Sequence, residues 1–375
     1  MNIVRQASPE LATDFMVAAN KGEAGDYEAE ALAAGCRIHY APRPGRLVLR
    51  LQALGLSPSS SKLDEVLSQN AYDVVHVHGN EFNGDSLRIA HAHGVPVRVS
   101  HCHSTVLARG KTGVEMHIRE LRRRTLDRKR VLRYATNLVA CGRDAGRFML
   151  GGAWESDSRA QIIYCGVRLS AFEQAMSSTS RSLLLEKYAL PADAIVIGHA
   201  GSMGPSPIKN HAFLMRAFAD LSRRSQRYYL FLAGDGPLRT NIEKQACDLG
   251  IASRVRMPGV VTNVPSLMVN LFDAHVMPSL AEGLPVAAIE AAAAGVFTVL
   301  SENITDELDE HLPGRTMRLS LGADLALWSD SIESAVARRE PVAVGIARVR
   351  NSPLSIDASL RALVAMYRRQ LGQRA

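Results

Sequence analysis

Cysteine is scarce in this chain. Five cysteines stand among 375 residues, odd in number and scattered (Cys36, Cys102, Cys141, Cys165, Cys247), and none forms a CxxC pair. That argues against a disulfide framework and fits reduced thiols in a cytosolic protein. Long apolar runs are lacking as well. None approaches the roughly 18 residues of a membrane span, and no signal peptide heads the chain. Internal repeats and low-complexity tracts are also missing. The charge balance is mildly basic, 44 Lys and Arg against 37 Asp and Glu, a net +7 that suits an acidic partner without naming one. Hydrophobic content of 47% and charged content of 22% are ordinary globular values. At 375 residues the chain is too long for one typical core, so two domains are expected.

Short β-type runs alternate with helical patterns, as in parallel α/β sheets. The clearest strands are Asp73–His78, Val95–His101, Asn137–Cys141 and Gln161–Cys165, then Ala194–His199, Tyr228–Ala233, Val255–Pro258, Ala274–Met277 and Val296–Ser301. Between the two series lies the polar, Ser-rich stretch Leu169–Leu190, read as a linker. The expected division is therefore residues 1–168, a linker at 169–190, a second domain at 191–351, and a terminal amphipathic helix within 352–375 that packs on a domain surface. Two doubly wound domains imply a cleft at the carboxyl ends of their strands, where ligands bind.

The most informative stretch is Glu282-Gly283-Leu284-Pro285 followed by Glu290. The pattern reads strand, loop, helix. Pro285 suits the first helical position and Gly295 the position just past the end. The amides of Gly283 and Leu284 then lie at the positive end of the helix, where an anion or a hydroxyl-rich group docks. Glu282 faces the mouth of the site. Glu290, about two turns in, is a carboxylate able to hold a diol. As plainer readings, Glu282 is a helix-capping carboxylate and Glu290 a buried structural residue.

Two glycine-bearing turns precede this block. Gly198 through Gly201, Ser202 and Gly204 leads to Lys209, Asn210 and a helix over Ala212–Leu221, and Gly234-Asp235-Gly236-Pro237 follows another strand. Glycines allow close backbone approach and lysine supplies a point charge for phosphate. Taken singly, each is an ordinary solvated turn.

Taken in order, the segments resemble the second half of retaining glycosyltransferases of family 4, which have the GT-B fold. Lys209, Gly234–Pro237, Asp273 through Pro278-Ser279, and Glu282 with Glu290 match that family's phosphate lysine, Gly-x-Gly-Pro turn, Asp-x-x-x-x-Pro-Ser strand and Glu-x7-Glu. Ile163 through Phe172 is similar to its inter-domain signature, with Cys165 in place of asparagine. Tyr72–His78 and Arg98–Thr105 are similar to the capsular and exopolysaccharide branch.

The resemblance implies two Rossmann-like domains facing across a cleft, and transfer of a sugar from a nucleoside diphosphate donor, UDP more than GDP. The acceptor would be a growing, lipid-linked surface polysaccharide, with retention at the anomeric carbon. No cofactor or metal is expected, and no Asp-x-Asp motif stands in a suitable place. Lys209, with Gly201, Ser202, Asn210 and Gly236, would hold the diphosphate. Glu282, Gly283, Leu284 and Pro285 would orient the sugar, and Glu290 the ribose. The histidines His101 and His103 admit metal ligation, but no third ligand follows at a useful spacing. A structural role is also open for them, while the resemblance favours His103 near the sugar. His76 and His78 read as structural or cleft-lining.

The basic run Arg119–Arg133, with interleaved Leu121, Leu126, Val131 and Leu132, reads as a solvated helix face or as an interfacial helix meeting anionic lipid. No aromatic platform for nucleic acid accompanies it. The expected location is cytoplasmic, peripheral on the inner face of the cell membrane. Two departures from the family stand out. Ser202 replaces an arginine, a loss on the order of 2–3 kcal/mol of leaving-group stabilisation, or roughly a hundredfold in rate. The family's first strand and glycine loop have no counterpart before Met1–Arg5, which reads as the middle of the first helix, ahead of a strand at Asp14–Val17. Both departures feed alternative readings as a catalytically impaired relative that binds nucleotide sugar or a partner glycosyltransferase. A nucleotide-sugar 2-epimerase shares the fold but fits the order of motifs poorly.

Overall fold

Consecutive strands are parallel throughout, joined by helices. The structure, a computed structural model, describes residues 11–17, 27–42, 58–79, 83–103, 105, 121 and 123–372. Met1–Arg5, Arg119 and Arg122 lie outside the described residues, as does Ser104. The chain divides into two units, one formed by Met1–Tyr164 with Ile356–Ala375, the other by Cys165–Ser355.

In the first unit, Phe15–Val17 (β1) pairs with Ile38–Tyr40 (β2). Separately, Val74–His78 (β3), Val97–Cys102 (β4), Asn137–Ala140 (β5) and Ala160–Ile162 (β6) pair in that order. β4 is buried along its whole length, as a strand covered on both faces must be. The terminal helix Ile356–Gly372 belongs to this unit. Its Leu363, Met366 and Tyr367 close over Val97, Val99 and Val139. Each such side chain contributes about 1.5–3 kcal/mol through burial.

In the second unit the strands are Ile195–Ala200 (β7), Tyr228–Ala233 (β8), Val255–Gly259 (β9), Ala274–Met277 (β10), Thr298–Ser301 (β11) and Thr316–Leu319 (β12). They form one sheet in the order β12-β11-β10-β7-β8-β9. The core lies under it, where Ile197, Leu230 and Val276 meet Phe213, Phe218 and Trp328.

The structure amends four sequence-based expectations. Residues 169–190 are not a free linker but two helices, Ser170–Ser178 and Arg181–Lys187, which bury Phe172, Ala175, Leu184 and Leu185 in the second unit. Residues 352–355 stay with that unit, because Val167 bonds the Leu354 carbonyl and bridges to Ser355. Pro285 precedes the helix Val286–Ala293 rather than opening it, which puts Glu290 one turn in, not two. Among the described residues the basic run is no continuous exposed face. Arg123–Asp127 is a wider π-type turn before the helix Arg128–Tyr134. Within that helix Arg130 pairs with Asp85 and Arg128 donates to the Met149 carbonyl. Lys129 and Arg133 face outward. No helix among the described residues is long and apolar enough to cross a membrane.

Candidate active site

The second sheet reverses its order beside β7. The chain moves outward from β7 through β8 to β9, then returns to the other side of β7 as β10. Loops leaving β7 and β10 therefore flank the switch point of the sheet, the place where ligands of such sheets bind. The segment after β7 is the glycine loop that ends in Lys209, and the segment after β10 is Pro278–Pro285.

Backbone contact explains the glycines. The loop after β7 is laced to the turn after β8 by Gly201 N–H to Ala233 O at 3.0 Å, Met203 N–H to Asp235 O at 2.9 Å, and Leu238 N–H to Met203 O at 3.0 Å. At Gly234 a Cβ would stand 2.1 Å from the Gly201 carbonyl oxygen. At Gly236 it would stand 2.4 Å from that of Met203. Both have positive φ, 147° and 149°. The two loops thus form one backbone surface with Ser202 exposed upon it. Asn210, in the left-handed region at φ 53°, turns the chain into the helix His211–Arg224, directly after Lys209.

The two charged candidates meet. Lys209 Nζ donates to Glu282 Oε1 at 2.8 Å, and both side chains are partly buried. The Leu280 N–H reaches the Ile208 carbonyl at 2.7 Å, so the loops carrying them are joined through backbone as well. Gly283, Leu284 and Pro285 are buried behind Glu282, and the Gly283 and Leu284 amides lie ahead of the helical ladder. Glu290 has no ion pair or hydrogen bond from its carboxyl among the described residues, and burial pushes that carboxyl up to about 7. Arg239, beyond the Gly236 turn, is engaged by Asp235, Glu243 and the Met257 carbonyl, so it does not stand in for the arginine that Ser202 replaces.

Sequence reasoning passed over three histidines beneath this surface. His199, His211 and His275 are all buried, and burial holds His275 down to about 3 and His211 to about 4, with His199 well below its ordinary value. His199 Nδ1 lies 2.8 Å from the Val276 carbonyl, which assigns the proton to that nitrogen. Its Nε2 lies 3.1 Å from where a Gly201 Cβ would be. The signal was in the motif, since His199 and His211 flank the glycine loop.

In the first unit, His103 lies just past β4, with Nε2 2.8 Å from His78 Nδ1. His101, the rung opposite His78, has Nδ1 3.0 Å from His76 Nε2. Rings 101 and 103 stack with centroids 4.0 Å apart. Four histidines that sequence reasoning treated as two pairs therefore form one group.

Family models match both units: "Glycosyl transferase 4-like domain" over residues 6–164 and "Glycosyl transferases group 1" over residues 194–334. The chain is 34% identical over 344 residues to the putative glycosyltransferase EpsF of Bacillus subtilis (strain 168), covering 91% of this chain and 84% of that protein. Among solved structures, a glycosyltransferase from Rickettsia africae ESF-5 is similar at TM-score 0.72 and 15% identity, covering 99% of this chain and 93% of that one. Anabaena Alr3699/HepE in complex with UDP-glucose is similar at TM-score 0.66 and 17% identity, covering 94% and 98%. With the two parallel-sheet units and the switch point beside β7 in place, the chain belongs to the group 1 glycosyltransferases and carries the GT-B fold.

Proposed function

We propose that this glycosyltransferase moves a sugar from a nucleoside diphosphate sugar, UDP more than GDP, to a growing, lipid-linked surface polysaccharide, with retention at the anomeric carbon. The observation that carries the reading is the Lys209–Glu282 contact at the switch point, with the unpaired Glu290 one turn into the next helix. The EpsF likeness supports sugar transfer, and the UDP and UDP-glucose complexes of Alr3699/HepE support a UDP donor.

In this reading the donor displaces an internal ion pair. Its diphosphate takes Lys209, which stabilises the leaving charge as the glycosidic bond breaks towards an oxocarbenium-like state. The glycine surface of Gly201, Ser202 and Gly236, with Asn210, lets the phosphates approach the backbone. Glu282, released from Lys209, accepts from hydroxyls of the sugar, with the Gly283 and Leu284 amides beside it and Pro285 fixing the turn. Glu290 accepts from the ribose diol. His103 assists near the transferred sugar. No metal is assigned to the diphosphate. The outward Lys129 and Arg133 give the membrane-facing contact that a lipid-linked acceptor calls for.

A thermal-shift screen with UDP, GDP and their sugars tests the donor. A bound ligand raises the melting temperature by mass action, and stabilisation by none of them would sink the donor reading. Glu282→Ala is expected to lower transfer by on the order of a hundredfold or more while leaving the fold intact, and unchanged turnover would refute its role. One observation favours a second reading. Ser202 leaves Lys209 unaided, which suits a relative that binds nucleotide sugar without turning it over. Stabilisation by UDP-sugars with no transfer to any saccharide acceptor would select it.

A further inference from the structure

Four histidines lie together at the carboxyl end of the first sheet. His76 and His78 alternate on β3 and so share one face, and His101 with His103 does the same at the end of β4. The sequence offered no third ligand at a metal-binding spacing because the third ligand comes from the neighbouring strand, 25 residues away. One ligand nitrogen each from His76, His78 and His101 lies within 4.8 Å of the others. The closest pair, His76 Nε2 and His101 Nδ1, is 3.0 Å apart. Tetrahedral zinc with Zn–N near 2.0–2.1 Å sets its ligand nitrogens about 3.3 Å apart, so this pair is nearly in place. His78, exposed at the end of β3, offers the third nitrogen.

We propose that His76, His78 and His101 form a binding site for a borderline d-block dication such as Zn2+, with water in the fourth position. Two further observations favour a metal over a chain of shared protons. His76 turns its other nitrogen, Nδ1, to the Tyr367 hydroxyl at 2.5 Å, an outer contact that aims the ring and can accept the Nδ1 proton of a ligating imidazole. Among the described residues no carboxylate pairs with His76, His78 or His101, and neutral imidazoles select zinc, copper or nickel over magnesium or calcium. Bound there, the ion would tie β3 to β4 and, through Tyr367, to the terminal helix. The role assigned is structural, and it is independent of donor chemistry.

The test uses the full chain, dialysed against chelator and titrated with Zn2+ by calorimetry, with Co2+ as a spectroscopic probe. About one equivalent should bind, with a rise in melting temperature and cobalt absorption of tetrahedral intensity. Tyr367→Phe should weaken binding about 10–100-fold, as loss of an outer-shell partner does. His78→Gln and His101→Gln should each abolish the cobalt spectrum. If His101→Gln does not fold, the exposed His78→Gln decides alone. Absence of Zn2+ uptake by the parent chain, or uptake and cobalt spectrum unchanged in His78→Gln, overturns the assignment.

Discussion

Glu290 is a partly buried carboxyl without a partner among the described residues, on a helix whose other residues are all apolar. Its folded pKa of about 7 lies above the ordinary 4.5, with desolvation the cause. The sign follows directly. Below 4.5 the group is neutral in both states and neutral to stability. As pH rises through about 7 the folded state must hold a buried charge that the unfolded chain solvates, a penalty on the order of 3 kcal/mol. Glu290→Gln should therefore raise the melting temperature at pH 8 and leave it nearly unchanged at pH 4, while weakening UDP binding. A variant that melts lower at pH 8 would contradict this. Donor affinity should strengthen as pH rises through about 7, because the ionised carboxyl accepts both diol hydroxyls better. The identities of Glu282 and Glu290 were legible because Glu-x7-Glu is a local pattern. The Lys209–Glu282 contact was not, since its partners lie 73 residues apart and only the strand order brings them together.

Among elements, the laced glycine loops carry the clearest demand. Gly236→Ala would place a methyl 2.4 Å from the Met203 carbonyl at a φ of 149°. A cost of about 1–3 kcal/mol and a weakened donor site are expected, read by denaturant midpoint and by UDP titration. Gly204→Ala is the control, because the nearest atom to its Cβ is Ser202 Oγ at 3.8 Å. It should be nearly neutral, and equal effects of the two would show that the loop contact is not the cause. The nine strands expected from sequence all exist, shifted by up to three residues at their ends. The missed ones, Ile38–Tyr40 and Thr316–Leu319, span three and four residues. Runs so short carry too few positions for a period to show. Residues 169–190 misled through their serines. One of these, Ser180, accepts from the Leu183 N–H and starts a helix rather than loosening the chain.

At the scale of the molecule, acid should weaken the second unit. His199, His211 and His275 are buried and neutral there, with pKa values far under the ordinary 6.5. Depressed imidazoles contribute stability that is present above pH 6.5 and lost as pH falls towards 4. The urea midpoint of this unit should drop between pH 7 and pH 4.5, and less so in His211→Gln. A flat profile would show that these rings are not desolvated. The terminal helix links the two ends of the chain in a further way. Its amphipathic period was legible, but the burial of Tyr367 against His76 was not, since 291 residues separate them. Cutting the chain after Ser355 should unfold the first unit, which then lacks Leu363, Met366 and Tyr367, and leave Cys165–Ser355 protected from proteolysis.

That same helix sets an order of events on the ribosome. The second unit is one continuous stretch and can close as soon as it emerges. The first unit is made earlier but finishes later, because its last layer is translated after all of Cys165–Ser355. At ~5–20 residues per second its apolar β4 face, complete at Cys102, waits about 13–50 s for the helix that begins at Ile356. The amino-terminal half is thus the part exposed to chaperones and proteases during synthesis, and its completion reports that Cys165–Ser355 has been made.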